Sequence, residues 1–275
     1  MARRFRIAAA QYPIEAIASL DAYEAKLAQW VEAAAKGGAR LAVFPEYGIM
    51  ELAAAFPSVA ADLQASIAEL DRRLPEIDAL HRALARRHDM HILASSAPVR
   101  GSDGRFRNVA RLITPKGNVG RQEKIVMTRF EREQWGIAGG GLVNVFRTEL
   151  GTIGVSICYD VEFPLIARAQ AEAGAEIILA PSATDTMKGY WRVRLGAQAR
   201  ALENQCYVVQ ARPWAGRSGR QPWTTTVGPP PSTARPTSAF PTTGSWRSAR
   251  WTNRPGCSPT STSTRSRRCA ATAAC

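Results

Sequence analysis

The sequence predicts an α/β domain, and three observations carry that prediction. Over the first 210 residues, short apolar runs alternate with amphipathic stretches of helical period, the order of strands and helices in a layered fold. That stretch is long enough to bury a large core. A third observation is the apolar run Gly151-Thr-Ile-Gly-Val-Ser-Ile, which stops at Cys158 and turns at once into Tyr159-Asp160-Val161-Glu162-Phe163-Pro164. A thiol therefore leaves a strand at its carboxyl end, where α/β proteins place reacting groups.

Phe5 to Ala10 reads as the first strand. Asp21 to Lys36 follows as a helix, with Leu27, Trp30, Val31 and Ala34 on one face and Gly37-Gly38 as its stop. Leu41 to Phe44 is a second short strand, and Pro75 to Arg87 a helix opened by its proline. Ile92 to Val99 and Asn108 to Thr114 form an antiparallel pair, and the hairpin signal Pro115-Lys116-Gly117-Asn118 comes next. Leu142 to Phe146 leads into the Cys158 strand. Phe163 to Ala173 is helical, Ile177 to Ala180 a buried strand, and Tyr190 to Asn204 a helix followed by a strand from Cys206 to Gln210.

Two further segments give Cys158 a chemical context. Leu41-Ala-Val-Phe-Pro45-Glu46-Tyr47-Gly48 is an apolar strand ending on a carboxylate, and Arg121-Gln-Glu123-Lys124-Ile125 follows the hairpin signal. Taken alone, Glu46 reads equally as part of a helix N-terminus, Lys124 as a solvated edge lysine and Cys158 as a buried structural thiol. A carboxylate, an ammonium and a thiol that each leave a strand end can instead converge above one sheet. Together the three motifs resemble the Glu-Lys-Cys triad of the nitrilase (carbon-nitrogen hydrolase) superfamily, from about Phe5 to Gln210. The resemblance implies a four-layer αββα sandwich, a homodimeric family form and hydrolysis of a non-peptide C–N bond in a small amide or N-carbamoyl compound. It implies no cofactor and no metal. Glu131 resembles the family's second glutamate, which anchors the lysine; Glu133 is the neighbour it is weighed against, and the reading favours Glu131. Tyr47, Ser182 and Ala183 are expected near the substrate pocket, and Ala201-Leu202-Glu203-Asn204 beneath it.

The chemistry explains the residue types. An amide is a poor electrophile with a poor leaving group, so cleavage needs a strong nucleophile, oxyanion stabilisation and a proton for the departing amine. A free thiol, with pKa about 8.5, is only a few per cent thiolate at neutral pH and needs a base. Glu46 is the expected base and proton shuttle for Cys158. Lys124 and the backbone N–H of Tyr159 are the expected oxyanion donors. Nitrile-cleaving members commonly carry Cys-Trp-Glu at the nucleophile, so Cys158-Tyr159-Asp160 looks like the amidase branches. Action on nitriles is the enzymatic alternative. Leu165 stands where the family usually has a glutamate and is expected to alter packing more than chemistry.

Rival chemistries find little support. The only histidines, His81, His88 and His91, fall in one stretch at a helix end and offer neither a Cys-His pair nor a zinc spacing. Ala138-Gly139-Gly140-Gly141 lacks the ending of a phosphate loop and reads as a flexible turn. No apolar segment reaches the roughly 20 residues of a membrane span, and no signal-peptide pattern opens the chain, so a cytoplasmic enzyme is expected.

The net charge of +13 first suggests nucleic acid. Its location says otherwise, because residues 211–275 hold ten Arg and no Lys, Asp or Glu, leaving 26 basic and 23 acidic groups, or +3, in the first 210. This tail lacks Leu, Ile, Met and Tyr yet carries four of seven Trp, nine of 17 Pro and three of five Cys. Ordinary basic disorder explains the arginines but not the tryptophans and cysteines. A reading-frame shift close to Ala211 explains all of it: recoding by one base in a GC-rich gene returns acidic residues and apolar periodicity to Pro231–Ser245 and Ala249–Cys275. The expected domains are thus 1–210, a hydrolase domain without its closing strands, and 211–275, a frameshifted disordered tail. An unpaired sheet edge would impair such a chain. Nucleic-acid binding through the tail's Arg and Trp residues is the alternative function.

Overall fold

The computed structural model describes residues 4–214, 226–227 and 246–252 of the chain. Alternation within its strands sets the layers. In β1 (Arg4–Pro13), Ile7 and Ala9 face a second sheet while Ala8, Ala10 and Tyr12 face helices, because successive strand side chains point to opposite faces. β2 (Ala39–Val43) repeats the pattern, with Leu41 and Val43 turned to the other sheet and Ala42 to the helices. Both faces are buried, which is why these strands read as unbroken apolar runs.

The helical layer on this side contains α1 (Leu20–Lys36) and α2 (Leu63–Arg87). α1 buries Tyr23, Leu27, Val31 and Ala34 as one stripe and starts at Ser19, whose hydroxyl accepts from the Ala22 N–H. α2 corrects the sequence reading, since it begins at Leu63 and Pro75 lies inside it. The Asp62 carboxylate caps the Ala65 N–H, and Ile67, Leu70, Leu74 and Ile77 carry a buried stripe through the proline. Packing of that stripe outweighs the helix bond that Pro75 cannot donate.

The first sheet continues through β3 (His91–Arg100) and β4 (Phe106–Ile113), antiparallel as expected, to β5 (Val119–Glu123). A short α3 (Arg129–Glu133) and β6 (Ile137–Ala138) follow. The second sheet is built from β7 (Val145–Thr148), β8 (Gly151–Val155), β9 (Ile177–Pro181) and β10 (Tyr207–Trp214), and is covered by α4 (Pro164–Glu172) and α5 (Met187–Asn204). Ile153, Val155, Leu179 and Val208 from this sheet share one core with Ile7, Val43 and Leu112 of the first, so the layers run helix, sheet, sheet, helix. The sheets join where Gln11–Pro13 of β1 pair in parallel with Arg212–Trp214 of β10. β2, β1, β10, β9 and β8 are successive parallel neighbours, so their carboxyl ends gather at one end of the sandwich.

Beyond Gln210, β10 runs on to Trp214 with Ala211 buried. The backbone of β11 (Thr226–Val227) pairs with β10, and that of β12 (Trp246–Thr252) pairs antiparallel with β1. The remainder of the expected tail, and with it the reading-frame and nucleic-acid expectations, lies outside the described residues. Among the described residues no helix is long and apolar enough to cross a membrane, and no cluster of His, Cys, Asp and Glu is arranged to hold a metal ion.

Candidate active site

Four segments deliver the site, each leaving a strand end. Glu46 follows β2 and is succeeded by Tyr47 in the left-handed region, φ 53°. The Tyr47 N–H is held by the Ser96 hydroxyl at 3.1 Å, in the irregular stretch of β3 where the register shifts between Ala94 and Ala97. Cys158 is also left-handed, φ 50°. Here the structure corrects the sequence reading: β8 ends at Val155, and Cys158 opens a 3-10 turn, Cys158–Glu162, rather than closing the strand. A non-glycine residue in this region is strained, and such strain gathers where a side chain must be aimed. An apolar run shows where the strand begins but carries no sign of that sharp turn.

Lys124 directly follows β5 and is buried between two carboxylates. Its Nζ donates to Glu46 Oε1 at 2.7 Å and to Glu131 Oε1 and Oε2 at 2.8 and 2.7 Å. Glu131 is the acidic residue of the loop that faces inward; Glu133 pairs with exposed Arg129. Glu131 also accepts from the Tyr47 hydroxyl at 2.9 Å and from both the N–H and hydroxyl of Thr128, as the third residue of a capping box at the start of α3. The glycine run after β6 is not the expected flexible turn. The Gly140 N–H donates to the Lys124 carbonyl at 2.7 Å, and a Cβ on Gly139 would sit 2.8 Å from the Ile125 carbonyl oxygen. Glycine there lets the loop press against the backbone that carries Lys124.

Ala183 meets Glu46 and Cys158 through its backbone. Its N–H donates to Glu46 Oε2 at 2.8 Å, while its carbonyl oxygen lies 3.5 Å from Cys158 Sγ. Cys158 and Glu46 also lie near enough for each to shift the other's titration. Ser182, expected at the pocket, turns its hydroxyl to β10, donating to the Ala211 carbonyl and accepting from Gln210. The Tyr159 ring packs edge-on against Phe163 at 4.9 Å, and the Arg192 guanidinium lies over it. Leu165 is 80% exposed and joins neither core nor site, so its expected effect on packing is not seen. His81 bonds the Ile77 carbonyl within α2 and His91 faces Glu149, both away from the thiol.

Asp160 escaped the sequence reading. Buried beneath the site, its carboxylate accepts from the backbone N–H groups of Ile125, Val126 and Ile157, tying the Lys124 strand end to the cysteine turn. Burial nevertheless pushes its carboxyl up to about 7 against the pull of those donors.

The electrostatics separate the two glutamates. Burial raises the Glu46 carboxyl, with Lys124 opposing and the charge of Glu131 adding to the rise. Burial acts on Glu131 too, but Lys124 and the Thr128 donors overcome it and hold that carboxyl below the usual range. Two carboxylates around one ammonium are thus pushed apart, one toward proton exchange and one toward fixed negative charge. Burial, reinforced by Glu46, lifts the Cys158 thiol well above its ordinary value, so the sulfur rests protonated and needs a base. Lys124 stays charged: burial opposes the ammonium, and Glu46, Cys158 and Glu131 more than offset that.

This fold and this arrangement define a class. The sequence profile of the carbon-nitrogen hydrolase family matches residues 6–228, and the chain belongs to that family. A Bacillus subtilis protein named a probable hydrolase, YhcX, is 35% identical over 204 residues, covering 74% of this chain and 39% of that protein. The deaminated glutathione amidase of Synechocystis is 34% identical over 142 residues, 46% of this chain and 52% of that enzyme. The chain therefore matches only about two-fifths to half of the length of these curated relatives. Among solved structures, the fold is shared with Saccharomyces cerevisiae Nit3, of branch 10 of the nitrilase superfamily (TM-score 0.60, 21% identity, 77% of this chain and 76% of that one). It is also shared with a mutant form of the amidase of Nesterenkonia AN1, from the same superfamily (TM-score 0.62, 22% identity, 76% of each chain).

Proposed function

We propose that this protein hydrolyses the C–N bond of a small amide or N-carbamoyl compound through a thioester on Cys158. The observation that supports this most is the backbone of Ala183, whose N–H meets Glu46 Oε2 and whose carbonyl meets Cys158 Sγ, while Lys124, anchored by Glu131, holds the other side of the Glu46 carboxylate. Glu46 takes the thiol proton as sulfur attacks the carbonyl carbon. The negative oxygen that forms needs donors, and all three Lys124 contacts are spent on carboxylates in the resting site. Glu131 is anchored independently by Tyr47 and Thr128, so one Lys124 N–H can turn to the oxyanion without freeing Glu131. The Tyr159 N–H is the second donor in this scheme. Each such donor is worth about 3 kcal/mol of barrier. Glu46 then protonates the departing nitrogen, the C–N bond breaks, and a thioester remains. Water, deprotonated by Glu46, adds to that thioester and releases the acid and the thiol.

The amide class rests on Cys158-Tyr159-Asp160 and on the amidase relatives. Ammonia release from a panel of simple amides, N-carbamoyl amino acids and nitriles tests it. Turnover is expected on amides or carbamoyl compounds; preferential conversion of nitriles to acids would overturn the amide reading.

A further inference from the structure

Asn108, on β4, is buried and lies against both glutamates. Its Nδ2 donates to Glu46 Oε1 at 3.0 Å and reaches Glu131 Oε1 at 3.5 Å, and its backbone carbonyl accepts from the Lys124 N–H at 2.8 Å. Carboxylate oxygens accept and do not donate, so the amide is forced to turn its nitrogen toward them. The consequence is visible on the other side, where Asn108 Oδ1 is buried with no partner among the described residues. A buried acceptor left unpaired costs free energy and calls for an explanation. The explanation here is that the donor is needed at Glu46.

Glu46 shows why. Its two oxygens have separate surroundings: Oε1 receives Lys124 and Asn108, and Oε2 receives the Ala183 N–H, from the residue whose carbonyl meets the thiol. Lys124 alone cannot fix the carboxylate plane, because the same ammonium is shared with Glu131 and has to reorient if it serves an oxyanion. A second donor on Oε1, rigidly placed by a central strand, keeps the carboxylate aimed while Lys124 moves. Resting on the thiol-hydrolase reading above, we infer that Asn108 is a positioning residue that locks Glu46 Oε1, so that Oε2 is the oxygen exchanging protons with Cys158. Its donated hydrogen bond also favours the ionised form of Glu46. The charged and titratable groups facing Glu46 are Lys124 after β5, Glu131 on α3, Cys158 in the turn after β8 and Tyr47 beside it.

The test reads the thiol directly and needs no substrate turnover. Iodoacetamide alkylation of Cys158 is followed by peptide mass spectrometry from pH 4 to 9, in the wild type and in Asn108→Leu, with circular dichroism and melting as controls of folding. The Glu46–Cys158 pair titrates as a unit. In Asn108→Leu the acidic limb of the alkylation rate should move up by about one pH unit, making the reaction roughly tenfold slower on that limb. A folded variant whose limb stays where it is in the wild type overturns the proposal. If Asn108→Leu does not fold, the isosteric Asn108→Asp replaces the donor by an acceptor and is read the same way, with an unmoved limb again fatal. A shifted limb together with undiminished amide turnover in Cys158→Ala would uphold the role of Asn108 at Glu46 and overturn the thioester reading alone. Absence of selective Cys158 alkylation in the wild type would overturn both.

Discussion

Cys158→Ala is expected to abolish amide turnover while leaving the fold intact. Removal of a catalytic nucleophile typically lowers kcat on the order of 10⁵-fold or more, because the remaining groups can only assist direct attack by water. The fold should tolerate it: the change removes a single buried atom, and the hydrogen bond the sulfur makes, to the Ala183 carbonyl, is a long one at 3.5 Å. Ala183 would still hold Glu46 through its N–H. Ala also relieves none of the left-handed strain at φ 50°, so the turn is neither helped nor harmed by a smaller Cβ substituent. The melting midpoint should therefore stay within a few degrees. Glu46→Gln should lose nearly as much activity. It keeps the shape, but it can take no proton, and its amide nitrogen must face either Lys124 or the Ala183 N–H, donor against donor.

Lys124→Met should show the largest combined effect on stability and rate. The ammonium is 1% exposed and lies between Glu46 and Glu131, whose side chains are 2% and 6% exposed, so water screens little of the interaction. Removing one partner of a buried ion pair leaves uncompensated charge and costs about 3–5 kcal/mol, against a total stability of about 5–15 kcal/mol. The pH dependence has a definite sign. Glu131 is held below its ordinary value, so the stability it contributes is present above about pH 4.3 and is lost as pH falls through its lower folded value. Lys124 is held above its ordinary value, so its contribution is complete below about pH 10.4 and constant through neutrality. Lys124→Met should thus melt far below the wild type at pH 7, with the gap narrowing toward acid pH as Glu46 and Glu131, no longer paired with an ammonium in the variant, take up protons. Equal melting curves at pH 7 would contradict the charge arrangement described here.

Much of this site was legible because its parts sit at strand ends, where an apolar run stops on a polar residue. Leu41 to Glu46 and Gly151 to Cys158 have that form, while the polar run Arg121 to Lys124 is legible only from the hairpin signal before it and from its place between the other two motifs. What escaped was set by geometry that no local pattern encodes. Asn108 lies within an ordinary strand and matters only because β4 runs between Glu46 and Lys124. Ala183 is expected near the pocket, but its contacts with Glu46 and Cys158 are made by its backbone N–H and carbonyl, so its side chain gives no sign of them. Asp160 reads as one residue of a nucleophile motif, but its backbone partners at Ile125 and Val126 are distant in sequence. The start of α2 is misplaced by sequence because Pro75 is a stronger local mark than Asp62, although the buried stripe runs past it. A buried ion pair between Asp78 of α2 and Arg111 of β4, at 2.8 Å, likewise needs both layers before it can be seen.

The thioester is the central claim, and interception by hydroxylamine tests it most directly. With an amide that the enzyme accepts, added hydroxylamine should compete with water for the acylated Cys158. Hydroxamate should then replace part of the acid product without slowing ammonia release, and both products should vanish in Cys158→Ala. Acid as the sole product at every hydroxylamine concentration, with turnover persisting in Cys158→Ala, would contradict covalent catalysis by this thiol.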